Sequence, residues 1–182
     1  KNNINFNFEI KKIFYKDKKY QIKKKKFDFV INCTWLQFSN QSVNNLIFEY
    51  CTILKYKSKI KNHPSTTIMD GPFFTLYPWD EYNNFGLYSV SMSRLMIGKN
   101  YNLLKKKVDL KITKKFLNDV RDKIESDFLD YYPDFKKNFK FMGYLNSFRT
   151  IIKNKNDARI CYVNEKNNFI NVFSGKIDHI FY

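Results

Sequence analysis

The sequence predicts an α+β fold, an antiparallel or mixed sheet with helices on one face. Three observations carry this. Short apolar or alternating runs separated by turn residues fill positions 46–92. One long stretch, 113–131, repeats Phe116, Val120, Ile124 and Phe128 every four residues, with Leu117 on the same face; that spacing belongs to an amphipathic helix. Strand-like runs then return from residue 143 onward.

Near the start, Phe6, Phe8 and Ile10 alternate with Asn5, Asn7 and Glu9, a period of two that predicts a half-buried strand. Residues 13–15 extend it, 16–19 read as a turn, 20–22 restart a strand, and 23–26 are a second turn or solvated edge. Residues 27–31 (FDFVI) are apolar except for Asp28, as expected of a strand covered on both faces. The polar stretch 39–45 reads as a linker. Residues 46–56 (LIFEYCTILKY) are expected to be strand. Phe48, Tyr50, Thr52 and Leu54 do not group on one helical face, and β-branched and aromatic residues are frequent. Three further strands, 66–69, 73–77 and 86–92, are separated by Asp70-Gly71-Pro72 and by 78–84. Gly beside Pro is turn chemistry, so this sheet is expected to be antiparallel. Thr113 is a suitable N-cap for the long helix and Pro133 closes it. A second short helix is expected over 135–139, then strands at 147–152, 158–163 and 169–173, with turns at 153–156 and 164–168.

The 182 residues suit one domain or parts of two, and 19% aromatic residues can supply a packed interior. No apolar run approaches the roughly 18 residues of a membrane-spanning helix, and the first residues lack the apolar core of a signal peptide. The expectation is a cytoplasmic protein. The chain begins without Met in what reads as a strand, so a piece of a longer protein is expected. A net charge of +16 raises a basic nucleic-acid or polyanion-binding module as the alternative reading. Against it, the cations are nearly all Lys, with Arg only at 94, 121, 149 and 159. Reading phosphates or bases favours the planar fork of Arg. Lys, Asn, Ile, Phe and Tyr are also the residues of A/T-rich codons, so no nucleic-acid partner is expected. Cys33, Cys51 and Cys161 are odd in number and form no CxxC or His/Cys cluster; free thiols and no metal are expected.

Four segments can carry chemistry. Asn32, Cys33 and Thr34 follow the run 27–31, and small polar residues at a strand's carboxyl end let the backbone approach a ligand in open α/β sheets. Tyr77 and Tyr88 lie in the paired strands; each offers an apolar body and a polar tip, for a pocket or for the core. Arg149 sits in an apolar strand, where burial demands a charged partner. That partner is a ligand carboxylate, an electron-rich ligand edge, or a structural acid, Asp157 or Asp134. Ser174-Gly175-Lys176 reads as a strand end, a tight turn and the start of a helix, whose free N–H groups suit an anion.

The order of these segments carries a resemblance. FDFVINCTW at 27–35, MDGPFFTLYPWDEYNNFGLYSVSMS at 69–93, YPDF at 132–135 followed by GYLNSFRTIIKNKND at 143–157, and NVFSGKIDHI at 171–180 together resemble the C-terminal portion of FAD-dependent oxidoreductases of the D-amino-acid-oxidase type. VINCTW is similar to that family's VVNATG, with Trp35 in place of Gly. The stretch around Arg149 is similar to its GxRPxxxD, with wider spacing and Thr150 in place of Pro. The family's N-terminal Gly-rich loop is not in this chain.

The resemblance implies a partial Rossmann-like FAD-binding domain at 1–39, a substrate-binding domain at 40–157 and a return to the FAD domain at 158–182. FAD would be held by Asn32, Cys33, Thr34, Ser174, Gly175 and Lys176. Arg149, Tyr77 and Tyr88 would serve catalysis, with hydride passing from a small amine, amino-acid or hydroxy-acid substrate to FAD. The N-terminal part of the same protein would be a necessary partner.

Overall fold

The structure, a computed structural model, describes residues 8–34, 46–71, 73–153 and 161–174. The expectations for Gly175, Lys176, Asp157 and the linker 39–45 lie outside these residues. The described chain is mixed α and β, rich in strands, with few helices. It forms two compact units: residues 1–46 with 150–182, and residues 47–149.

In the first unit, β1 (Phe14–Lys16), β2 (Lys19–Ile22) and β3 (Lys25–Phe27) make an antiparallel meander. Its turns place Asp17, Lys18 and Lys23 in the left-handed region, with φ of 53°, 58° and 54°. The second turn is tight, so Lys25 and Lys26, expected as turn or edge, are strand. Tyr20 anchors the meander: it is 3% exposed, its hydroxyl donates to the Asn167 carbonyl at 2.8 Å, and its ring packs on Phe169. A second sheet has the order β11 (Cys161–Lys166), β12 (Phe169–Ser174), β4 (Val30–Asn32). β11 and β12 form a hairpin through Asn167 and Asn168, both at positive φ, the conformation two-residue hairpin loops require. β12 runs parallel to β4, with Asn171 opposite Asn32.

Two expectations fail here. Residues 27–31 are not one buried strand: the chain bends at Asp28, and Phe29 and Ile31 are 60% and 65% exposed. A continuous apolar run reports a capacity for burial, and β4 stands at the edge of its sheet. Residues 8–13 hold no strand despite their alternation. The β4–β12 pair is parallel, but no doubly wound sheet is present among the described residues.

The second unit is built on the long strand β5 (Leu46–Ser58). With β6 (Thr66–Ile68), β7 (Phe74–Pro78), β8 (Asn84–Ser89), β9 (Arg94–Gly98) and β10 (Phe139–Ile152), it makes a six-stranded sheet ordered β10-β5-β8-β7-β6, β9 also pairing β5. The β5–β8, β5–β9, β6–β7 and β7–β8 pairings are all antiparallel, as expected for this sheet. Three helices follow β9: α1 (Tyr101–Lys111), α2 (Lys114–Leu129) and α3 (Phe135–Asn138). The expected helix is α2, capped by Thr113, whose side chain accepts from the Phe116 N–H at 3.1 Å. Its Ile124 and Phe128 pack with Phe135 and Phe139 on Leu54, Tyr56, Phe74, Leu76, Phe85 and Leu87 from one sheet face. Inside that core the Tyr56 hydroxyl donates to Glu125 at 2.7 Å, and Lys136 and Arg121 lie 3.4 and 3.6 Å from the same carboxylate. β9 and α1 escaped the sequence reading. In α1 only Leu104 and Val108 are buried, too few apolar positions among the lysines to reveal a helical stripe.

Candidate functional site

Strand alternation decides which side chains of β5 turn away from the helices. Leu54 and Tyr56 enter the core, so Glu49, Cys51 and Ile53 lie on the opposite face. Across the sheet, Gly86 and Tyr88 of β8 and Thr75 and Tyr77 of β7 share that face, because Thr75 pairs Tyr88 and Tyr77 pairs Gly86. The β5–β9 register contributes one more group. Tyr50 pairs Met96 and Cys51 pairs Arg94, leaving Leu95 unpaired as a bulge. One extra residue reverses the alternation, and Arg94 is thereby carried onto the face of Glu49.

Glu49 is 2% exposed, and each carboxylate oxygen has a guanidinium. Arg149 Nε donates to Oε2 at 2.6 Å, and Arg94 Nη1 donates to Oε1 at 3.3 Å. The acid paired with Arg149 is therefore Glu49, a hundred positions away, and not Asp134; Asp157 lies outside the described residues. Burial lowers the pKa of Arg149, but the bond to Glu49 and the neighbouring Cys51 and Tyr88 outweigh it, so the guanidinium stays protonated above its ordinary range. Burial raises the Tyr88 phenol against the opposing pull of Arg149, beside which its buried hydroxyl lies. Burial and then Tyr88 raise Tyr77. Cys51 is likewise raised, by burial first.

Gly86 is required by Tyr77. A Cβ at that position would come within 2.8 Å of the Tyr77 ring, which lies across the strand there, with Trp79 stacked beyond it at 6.2 Å. The structure thus brings Arg149, Tyr77 and Tyr88 onto one face of one sheet. It adds Glu49 and Arg94, which sequence reasoning missed. A single acid in the apolar run LIFEYCTILKY was the available signal, since such a residue needs a cation. Two guanidiniums against one carboxylate leave one unit of positive charge. Arg149 and Arg94 are 33% and 45% exposed, so that charge can meet an anion.

The second group lies in the first unit, where the parallel pairing of β4 and β12 ends: Asn32 is the last residue of β4, and Asn171, opposite it, is the third of six in β12. Thr34 donates to Asn32 Oδ1 from both its N–H (3.2 Å) and its hydroxyl (2.6 Å), which orients the Asn32 amide. Asn32 Nδ2 then donates to Asn171 Oδ1 at 2.8 Å. Asn171 is 1% exposed, and its own Nδ2 is left without a partner. A buried amide donor with no acceptor is rare and calls for one. Beside Asn32 and Thr34 lies a cavity of about 220 Å³, otherwise lined by apolar side chains, Ile22, Phe27 and Phe29 among them. Cys33 is exposed. Ser174 ends β12, three residues beyond Asn171, and so runs past the end of β4 in the same direction. Among the described residues no cluster of His, Cys, Asp or Glu suits a metal.

No family model and no solved structure matches the chain at a significant level. It is 29% identical over 156 residues to the FAD-dependent monooxygenase FPY4 of Fusarium mangiferae. The match takes in 86% of this chain and 42% of that protein, so the chain spans less than half the length of this relative.

Proposed function

We propose that this chain is part of an FAD-dependent oxidoreductase. The observation that carries the reading is the unpartnered, buried Nδ2 of Asn171 at the carboxyl end of a parallel strand pair, where open α/β sheets bind nucleotides. The similarity to an FAD-dependent enzyme over most of the chain supports it.

The residues present fit such a group. Asn32 and Thr34 would supply a fixed polar edge to the apolar cavity, which would take a ring, and Asn171, behind Asn32, would offer its Nδ2 as a donor. At about 220 Å³ that cavity is below the roughly 300 Å³ of sites that enclose a whole small ligand. It would hold one portion of a dinucleotide. Cys33, Ser174, Gly175 and Lys176 complete the proposed cofactor set. Bound FAD would supply a two-electron acceptor. Arg149 and Arg94 would hold an anionic group of the substrate, with Tyr88 as hydrogen-bond donor and Tyr77 as an apolar wall.

The finer chemistry has two forms. The resemblance to the D-amino-acid-oxidase type favours hydride removal from a small amine, amino acid or hydroxy acid. The similarity to a monooxygenase favours oxygen insertion. The test begins with the visible spectrum of the purified full-length protein, in which bound flavin is yellow. A colourless protein that takes up no FAD on incubation would sink the proposal. With flavin bound, peroxide release on adding the substrate alone supports the oxidase form. Oxygen incorporation that depends on a nicotinamide reductant supports the monooxygenase form.

A further inference from the structure

The outer side of α1 is unusual in what it exposes. Leu104 and Val108 anchor the helix to the body of the second unit. On the opposite side Leu103 and Leu110 are 59% and 81% exposed. They are seven positions apart, about two turns, and so lie on one stripe. Lys106 and Lys107 flank that stripe, one on each side. Between residues 97 and 118 there are seven lysines and one acid, Asp109, and Asp109 is already paired with Lys105 at 3.5 Å.

We propose that this face docks the protein onto an anionic lipid surface. Lysines around exposed leucines match both parts of such a surface, the charged headgroups and the apolar layer beneath. A nucleic acid would use the lysines but leave Leu103 and Leu110 without a partner. No described helix is long and apolar enough to cross a membrane, so the contact is with one leaflet and α1 stays folded on its sheet.

The test is co-sedimentation of the full-length protein with vesicles of phosphatidylcholine containing about one part in three phosphatidylserine, against phosphatidylcholine alone. The protein is expected to partition to the anionic vesicles only, and less so as salt rises. Each lysine near such a surface is worth roughly fivefold, so Lys106→Gln/Lys107→Gln should lower partitioning about 25-fold. Lys24→Gln/Lys25→Gln removes the same formal charge from the first unit and should change it by less than about twofold. Leu103→Gln/Leu110→Gln keeps every charge and should lower partitioning at least about tenfold. Both leucines are exposed, so folding is retained, which circular dichroism checks. The proposal is overturned by an absence of vesicle binding or by equal effects of the two lysine pairs. It is also overturned by an indifferent leucine variant, or by single-stranded RNA displacing the vesicles at equal charge concentration.

Discussion

Replacing Arg149 by Met isolates what the buried carboxylate of Glu49 requires. In the native protein each Glu49 oxygen has its own guanidinium, Arg149 at 2.6 Å and Arg94 at 3.3 Å. The substitution keeps the volume near Tyr88 and Cys51 but strands Oε2 in a site where Glu49 is 2% exposed. Removing one partner of a buried ion pair costs about 3–5 kcal/mol. Arg94 remains on the other oxygen and recovers part of this, so Arg149→Met should cost about 2–3 kcal/mol. Arg94→Met should cost less than about 1 kcal/mol, because that guanidinium is 45% exposed and its contact is longer. Glu49→Leu should cost less than Arg149→Met: a stranded Arg149, 33% exposed, can reach water, and a stranded Glu49 cannot. Urea unfolding in a Trp35→Phe background leaves Trp79 as the reporter of the second unit, and a double-mutant cycle should give a coupling of about 1.5 kcal/mol or more. The reasoning is refuted if Arg149→Met costs no more than Arg94→Met.

Three further outcomes follow from the geometry. Gly86→Ala places a Cβ 2.8 Å from the Tyr77 ring and should cost about 1–3 kcal/mol by overpacking; adding Tyr77→Ala should recover part of that, and simple additivity in a thermal melt would rule out the clash. Asp80 lies below its ordinary pKa, chiefly through the hydrogen bond from the Asn84 side chain and also through the Tyr82 and Asn84 N–H groups. Its contribution is therefore present above the unfolded Asp value of about 3.9 and lost as pH falls through the folded value. The stability gap between wild type and Asp80→Ala should close in that acid window, and a gap constant with pH would assign the effect to something other than the carboxylate. Finally, full-length protein should retain flavin while residues 1–182 alone hold it weakly or not at all, and Asn171→Leu should weaken retention in the full-length protein. Equilibrium dialysis reads both, and tight binding by residues 1–182 alone would overturn the expectation that the N-terminal part is needed.

Much of the architecture was legible in the chain because it is set locally. Period-four spacing and the Thr113 cap mark α2, and Pro, Gly and Asn mark the turns between strands that alternate on a fixed pleat. The same pleat makes Tyr77 and Tyr88 neighbours once β7 and β8 pair. What the local code could not supply was the partner of each charge and the cover of each strand. Arg149 announced that it needed an acid, but only the β10–β5 adjacency selects Glu49. Arg94 joins them through an unpaired Leu95, a shift of one residue that no periodicity records. Asn171 becomes a site residue only because β12 lies parallel to β4 with Asn32 opposite. Phe29 and Ile31 read as buried and are exposed, since burial depends on what another segment lays over a strand. Composition and spacing determine which elements form and which side chains carry unmet needs. Tertiary pairing across a hundred residues decides which groups meet those needs, because hydrogen bonds and ion pairs are fixed by position in space and leave no trace in sequence distance.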